Sequence, residues 1–283
     1  PPTRGALFLQ AVNFAVHIIG FEDLDDIENS KRCKGAAGHS FMRERPLMQK
    51  DALAVDMVRT LERIVGTPKF DLVDRAGAGY CVFLALGRLR ASDGGRLKFA
   101  DLGLVRDSTG VARAGYLEAS ALGTKTAKRL EKKTTFLPVV VPAFGLLEGC
   151  WAETWIDVRR QAGLNEIPSA YRMADSLTME PWEKLVMRAP SGSGPWLARA
   201  IRSSELSVWL RELLIMGGCK VGQVKHISSH SLKATCLSWS AKFNLSLVTR
   251  KLLGYHLASE DTSALNYGRD NLSGPIEEFE ELL

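Results

Sequence analysis

Apolar residues recur at helical spacing in the first third of the chain. One face of a predicted helix consists of Leu53, Met57, Leu61 and Ile64, which follow one another at intervals of three or four residues. Residues 71–90 are apolar along most of their length, which predicts a second and more deeply buried helix. The two segments together indicate a helical core.

The first 45 residues have a different pattern. Residues 6–19 predict one helix, which Gly20 and the acidic stretch at 22–26 end. Residues 29–46 are basic, contain glycine and lack apolar periodicity. They are predicted either as a linker that touches an acidic partner or as an ordinary solvated loop.

Three extended segments follow the core helices. Residues 97–104, 116–122 and 134–141 are short, and the last is rich in Thr and Val, as strands are. The segment GTKTAKRLEKK, between the second and third, predicts a polar and cationic hairpin tip. The sequence therefore predicts a small antiparallel sheet on one side of a helical body, a mainly α fold of the α+β class.

Helical patterns return in the second half of the chain. They predict helices at 151–162, 205–216, 231–243 and 247–253, and an acidic tail helix at 275–283. Residues 164–198 contain four prolines and the stretch PSGSGP, so this segment is predicted to be irregular.

Charge and cysteine content indicate the class of protein and partner. The 283 residues include 37 Lys or Arg and 32 Asp or Glu, which give a net charge of +5 and favour an anionic partner such as double-stranded DNA. The five cysteines form no Cys-x-x-Cys pair, so a structural zinc site is not predicted, and reduced thiols are typical of an intracellular protein. No cofactor is predicted.

The chain carries no signal for a membrane or a secretory leader. No apolar run approaches the roughly 18 residues that a membrane span needs, so no membrane contact is predicted. The chain begins Pro-Pro-Thr-Arg without an initiator Met, which is typical of a piece of a longer protein.

Candidate chemistry is concentrated in the last fifth of the chain. His230 and Lys233 lie three residues apart at the start of a predicted helix, so both face one side of that helix end. A helix N-terminus flanked by such side chains is suited to an anion. His256 closes the segment LLGYH, and Tyr267 follows in SALNYGRD.

This order of residues resembles the phage-integrase family of tyrosine recombinases. The family carries His-x-x-(Arg or Lys), then Leu-Gly-(His), then a Tyr near the C-terminus. Its Gly-Leu-Arg-x-Ser-Glu-like motif matches LGRLRASDGG here, which aligns its Arg with Arg90 and its acid with Asp93. A lysine on the family's β-hairpin matches Lys125, with Lys128 as the alternative. The resemblance covers about residues 45–283 and implies the tyrosine recombinase catalytic-domain fold.

The resemblance implies a metal-free DNA strand transferase. Tyr267 attacks the phosphorus and forms a 3′-phosphotyrosine link, and Lys125 protonates the leaving 5′-oxygen. Arg90 and Lys233 hold the nonbridging oxygens, and His256 hydrogen-bonds the phosphate. Fixed cations are needed because the pentacoordinate phosphorus carries additional negative charge.

Two further residues complete the implied set. His230 assists either as a proton acceptor or as a hydrogen-bond donor to the phosphate. Asp93 does not touch the phosphate but orients the residues that do. Because the covalent link conserves the energy of the phosphodiester, rejoining needs neither ATP nor metal.

The sequence departs from the family pattern at two positions. Lys233 stands where most members have Arg, and it keeps the charge but loses the bidentate fork. Tyr255 follows the Gly where many members have the histidine, so His256 requires a shift of one residue and Tyr255 is the alternative register. The long interval between Lys125 and His230 resembles the eukaryotic mobile-element branch, DIRS-like retrotransposons and Cryptons, which implies a nuclear location.

The resemblance also implies a domain organisation and an assembly. Residues 1–45 are predicted as the end of a helical core-binding domain plus a linker, and residues 46–283 as the catalytic domain. The family assembles four protomers on DNA by exchanging a C-terminal helix. The tail helix at 275–283 is therefore predicted either to exchange or to pack on its own body.

Three alternative functions remain open from the sequence. A type IB topoisomerase shares the chemistry but relaxes supercoils. A catalytically decayed DNA-binding domain from a mobile element is favoured by Lys233. A helical scaffold protein would show no salt-sensitive DNA binding.

Overall fold

The structure of the protein, a computed structural model, describes residues 4–44, 51–122, 136–164, 185–192, 194, 196–255 and 272–283. The chain divides into two compact units, Pro1–Gln49 and Lys50–Leu283. The predicted class is confirmed, since the protein is mainly helical with a small antiparallel sheet. The assignment of residues 1–45 to a core-binding domain and of 46–283 to a catalytic domain stays a prediction.

The first unit is helical throughout most of its described length. α1 (Arg4–Phe14) continues into a π-helical turn (Ala15–Ile19) and ends at Gly20, whose φ of 88° is readily adopted only by glycine. α2 (Asp25–Asn29) and α3 (Lys31–Glu44) follow. The loop or linker predicted for residues 29–46 is therefore wrong over α3.

The α3 helix lacks apolar periodicity because it packs through small residues. A Cβ added to Gly5 of α1 would lie 2.9 Å from the Cα of Ala37 in α3. Two helices that approach at this distance make contact through their backbones and do not need a stripe of large apolar side chains. That stripe is the pattern from which a helix is predicted, so α3 has no recognisable signature in the sequence.

The central element of the second unit is α5 (Leu72–Leu86), which is buried from Ala76 to Leu86. It packs against four other helices, α4 (Val55–Gly66), α7 (Trp151–Gln161), α8 (Ser203–Met216) and α10 (Ser229–Lys242). The helices predicted around Leu53–Ile64 and over residues 71–90 are therefore confirmed.

Two glycines of α5 allow tryptophan side chains to lie directly on its backbone. A Cβ at Gly79 would overlap the indole of Trp155 on α7, and one at Gly77 would overlap the indole of Trp209 on α8. The Trp155 Nε1 also donates a hydrogen bond of 2.9 Å to the carbonyl oxygen of Ala76. These contacts fix α7 and α8 against the central helix.

A three-stranded antiparallel sheet lies against this helical body. Its strands are β1 (Leu97–Arg106), β2 (Ala112–Leu122) and β3 (Phe136–Pro142), in the order β1-β2-β3. Leu117 pairs with Val141 and Ala119 pairs with Val139, and all four side chains are buried in the core. The three predicted strands are confirmed, and the predicted hairpin tip at 123–133 lies outside the described residues.

A second, two-stranded sheet consists of β4 (Arg188–Pro190) and β5 (Trp196–Ala200). The prediction of an irregular segment at 164–198 is wrong over these strands. β4 has only three residues, and the five residues of β5, Trp-Leu-Ala-Arg-Ala, do not alternate between apolar and polar. The Trp196 Nε1 donates a 2.8 Å hydrogen bond to the carbonyl oxygen of Ala162, which joins this sheet to the end of α7.

The remaining helices of the second unit are α6 (Ala91–Gly94), α9 (Val221–Val224), α11 (Leu247–Leu253) and α12 (Ser273–Glu280). The tail helix α12 packs on its own body, where Phe279 is fully buried. The hydroxyl of Tyr116 on β2 donates a 2.7 Å hydrogen bond to Oε2 of Glu280. Within the described ranges, no helix has the length and apolar character needed to cross a membrane.

Candidate active site

Four of the predicted site residues lie in the described part of the second unit. They are Arg90, Asp93, His230 and Lys233. Lys125, its alternative Lys128, His256 and Tyr267 lie outside the described residues. The roles predicted for these residues stay predictions.

Arg90 and Asp93 are held together by the short helix α6. Arg90 is the residue immediately before α6, and its carbonyl oxygen accepts a 2.9 Å hydrogen bond from the backbone N–H of Asp93. Its Nη1 lies 3.7 Å from Oδ2 of Asp93, whose side chain is 3% exposed against 29% for Arg90. The buried carboxylate therefore fixes a guanidinium that still reaches solvent.

Lys233 lies on the second turn of α10, and its ammonium group reaches the C-terminal end of α11. The Nζ donates a 3.0 Å hydrogen bond to the carbonyl oxygen of Gly254 and lies 5.8 Å from the ring centroid of Tyr255. Burial lowers the pKa of Lys233 to about 8, and the charges of Arg90 and Arg88 act in the same direction.

Asp93 opposes this effect and raises the pKa of Lys233. Lys233 is therefore close enough to Arg88, Arg90 and Asp93 for their charges to change its pKa. The fold thus brings together three predicted residues, Arg90, Asp93 and Lys233, that are far apart in the sequence.

His230 lies one turn before Lys233 on the same helix. It is the second residue of α10, and its side chain is exposed. The helix start is organised by Ser231, whose hydroxyl accepts a 3.1 Å hydrogen bond from the backbone N–H of Ser228. His230 is therefore on the solvent side of the helix end that also carries Lys233.

Arg88 belongs to this region but was not predicted from the sequence. Its side chain is fully buried. It donates to three backbone carbonyl oxygens, at distances of 2.6 Å to Leu86, 3.1 Å to Val140 and 3.1 Å to Leu253. One guanidinium thus ties the end of α5 to β3 and to the end of α11.

The backbone conformation of Arg88 explains why no motif pointed to it. Arg88 stands two residues before Arg90, where the family motif has Gly, and its φ is 53°. This left-handed conformation costs an ordinary residue about 1–3 kcal/mol unless the surrounding contacts compensate. The sequence did contain one signal for Arg88, which is an arginine at the position of a turn glycine. An arginine in this left-handed conformation is strained unless its side chain makes compensating contacts.

Tyr255 is held by Arg88 and by the turn that precedes α6. The Tyr255 hydroxyl donates a 3.1 Å hydrogen bond to the carbonyl oxygen of Gly87 and accepts one of 3.4 Å from Nη2 of Arg88. Its φ is 56°, so the chain turns sharply here. The phenol of Tyr255 therefore points into the protein beside the cations, immediately before His256.

Two buried polar atoms behind the cluster have no hydrogen-bond partner among the described residues. They are the hydroxyl of Tyr80 on α5 and Oδ1 of Asp93. Burial raises the pKa of Tyr80, with smaller contributions from Cys81 and Asp93, so the phenol stays protonated. A Cβ at Gly94 would lie 2.5 Å from the Tyr80 hydroxyl, which shows how closely α6 packs on α5 here.

The arrangement has the chemistry of an anion site. Arg88, Arg90 and Asp93 act electrostatically on Lys233, so with Lys233 protonated the cluster has three cations and one carboxylate. Arg90 offers a planar fork to two oxygens of a phosphate, and Lys233 offers a point charge. Among the described residues, no group of three or more His, Cys, Asp or Glu side chains is suited to a metal ion.

Comparison of the chain with protein-family models and with curated proteins gives no match.

Proposed function

We propose that the second unit is the catalytic domain of a tyrosine recombinase, which cleaves and rejoins double-stranded DNA. The observation that carries this proposal is the joint placement of Arg90, Asp93 and Lys233 in one partly buried cationic cluster. The order of the candidate residues along the chain resembles that of the family, with departures at Lys233 and in the register of His256.

The proposed reaction begins with a phosphodiester seated on the cluster. Arg90 contacts two nonbridging oxygens, and Lys233 contacts one of them. The hydroxyl oxygen of Tyr267 attacks phosphorus, its proton passes to His230, and a phosphotyrosine bond forms as the bond to the 5′-oxygen breaks. Lys125 gives a proton to that oxygen. Attack by a free 5′-hydroxyl on the phosphotyrosine reverses these steps and joins the strands.

The cationic cluster is expected to stabilise the transition state of strand cleavage more than the bound phosphodiester. Negative charge on the phosphoryl oxygens grows as the pentacoordinate state forms, so fixed cations stabilise that state more than the starting diester. Asp93 keeps Arg90 in place from the buried side at 3.7 Å. The side chain therefore need not reorganise during the reaction.

The proposal predicts a covalent protein–DNA adduct. The protein is incubated with EDTA and a pool of nicked duplexes drawn from the flanks of the element that encodes it, and the products are separated on a denaturing gel. A nick traps the adduct because the short leaving strand diffuses away. We expect an adduct with the parent protein and none with Tyr267→Phe, because the phenylalanine ring carries no nucleophile.

A matched control is Tyr116→Phe, which removes a hydroxyl on β2 that donates to Glu280 at the end of α12. This variant should still form the adduct. An adduct that persists in Tyr267→Phe, or that requires a divalent metal, would contradict the proposed mechanism.

A second candidate function is a DNA-binding domain without catalytic activity. Two properties of Lys233 favour this candidate. Its Nζ already donates a hydrogen bond to the carbonyl oxygen of Gly254, and a lysine cannot contact two phosphate oxygens at once as an arginine can. Salt-sensitive DNA binding without an adduct is the outcome that favours this candidate.

A further inference from the structure

The ammonium group of Lys233 has an unusual set of neighbours for a lysine. Its Nζ donates a hydrogen bond to a neutral acceptor, the carbonyl oxygen of Gly254, at 3.0 Å. Among the described residues, no carboxylate lies within ion-pair distance of its Nζ, and Asp93 is already engaged by Arg90 at 3.7 Å. Within the described ranges, the positive charge of Lys233 is therefore poorly compensated.

Charged groups reach Lys233 from each element packed around it. Arg88 and Arg90 approach from the turn between α5 and α6, and Asp93 approaches from α6 itself. Tyr255 contributes the face of its ring from the end of α11. Two guanidiniums and partial burial disfavour the ammonium form, whereas one carboxylate and one aromatic ring favour it.

We propose that Lys233 is the proton-binding group of this anion site, and that it takes up a proton when a phosphodiester occupies the cluster. The amine is largely neutral in the free protein at mildly alkaline pH and becomes an ammonium ion in the complex. The identity of the anion rests on the proposed function, whereas the titration of the free amine does not.

The sign of the linkage follows from the charges. A bound phosphate places negative charge beside Lys233, so the pKa of Lys233 in the complex lies above its value of about 8 in the free protein. Below pH 8 the free amine already carries its proton, and affinity does not change with pH. Above pH 8 a proton must be acquired on binding, so affinity falls by up to about tenfold for each pH unit.

Arginine at the same position provides a matched control. A guanidinium stays protonated throughout this range, because its pKa is about 12.5 or higher. Lys233→Arg therefore keeps a cation beside Arg90 but removes the group that exchanges a proton. Lys233→Met removes the charge at every pH.

The first experiment measures the titration of Lys233 without DNA. The protein is labelled with a trace of acetic anhydride at pH values from 6.5 to 11, and the acetylation of each lysine is followed by mass spectrometry. We expect the midpoint for Lys233 near pH 8. Exposed Lys242 and Lys251 serve as internal references. A Lys233 midpoint equal to that of the references would overturn the proposal.

The second experiment measures binding of a random-sequence DNA duplex at fixed ionic strength between pH 7 and 9.5. We expect the affinity of the parent protein to fall by about fivefold relative to Lys233→Arg as pH rises from 8 to 9. Parallel profiles for the two proteins would overturn the proposal, even if Lys233 is too shielded to be acetylated.

The two proposals fail in different ways. Absence of an adduct together with a Lys233 midpoint near pH 8 and a pH-dependent affinity would leave the anion site standing and reject the strand transferase. An adduct whose formation depends on Tyr267, with parallel binding profiles, would retain the strand transferase and reject Lys233 as the proton-binding group.

Discussion

At the scale of single residues, one buried guanidinium organises the candidate site. Arg88 donates to carbonyl oxygens on α5, β3 and α11, and its Cζ lies 5.5 Å from the ring centroid of Phe279 on α12. Residues that come from both ends of the second unit therefore meet on this side chain. Its own left-handed backbone is retained because these contacts compensate the strain.

Replacement of Arg88 should destabilise the second unit strongly. Arg88→Met leaves three buried carbonyl oxygens without their donor, and each such loss costs about 1–3 kcal/mol. We expect the free energy of unfolding to fall by at least about 3 kcal/mol, measured by urea denaturation. Arg88→Lys should recover only part of this loss, because one ammonium group cannot reproduce the fork.

Arg59→Met is the matched control for this prediction. The Arg59 side chain is 46% exposed and lies 3.7 Å from Asp56 on the same helix, so its loss should cost less than about 0.5 kcal/mol. Equal losses in Arg88→Met and Arg59→Met would show that the buried hydrogen bonds of Arg88 contribute nothing.

The sequence predicted part of this site at the level of residues. Arg90, Asp93 and Lys233 were found through motifs that resemble a family, and the fold brings them together. Arg88 and Tyr255 were not recognised as structural partners, because their function depends on two left-handed turns that meet only in three dimensions. A local motif carries no information about a contact between residues so far apart in the chain.

At the scale of elements, prediction succeeded where large apolar side chains repeat and failed where small ones pack. α5 was predicted because apolar residues occupy most of its length. α3 was missed because it meets α1 at Gly5 and Ala37, where backbones touch. β4 was missed because it has only three residues, and β5 because its residues do not alternate between apolar and polar.

The close packing at Gly79 predicts a large effect of a single methyl group. A Cβ at this position would overlap the indole of Trp155, which is fully buried and cannot move aside without breaking its hydrogen bond to Ala76. Gly79→Ala should therefore lower the free energy of unfolding by about 1–3 kcal/mol, despite the higher helix propensity of alanine.

Gly66→Ala tests the same substitution where space is open. Gly66 is the last residue of α4, and nothing lies within 4 Å of a Cβ added there. This variant should be neutral or more stable by up to about 1 kcal/mol. The prediction for Gly79 is wrong if urea denaturation gives the two variants the same stability.

At the scale of the whole molecule, the excess positive charge belongs to the second unit. Residues 1–49 carry six Lys or Arg and six Asp or Glu, so the net charge of +5 comes from residues 50–283. The same unit has the cationic cluster and an extensive apolar core of its own. Both the excess positive charge and the candidate site therefore belong to one unit.

Residues 50–283 alone should fold and bind DNA with the salt dependence of the full chain. Each phosphate neutralised by a cation releases counterions, so the logarithm of the affinity falls linearly with the logarithm of salt concentration. We expect this slope for residues 50–283 and for residues 1–283 to agree within one phosphate contact, measured by fluorescence anisotropy on the same duplex. A cooperative thermal transition in the shorter chain serves as the control for folding. A much shallower slope in a folded second unit would mean that the first unit supplies phosphate contacts despite its balanced charge. The inference that residues 50–283 make these contacts alone would then be wrong.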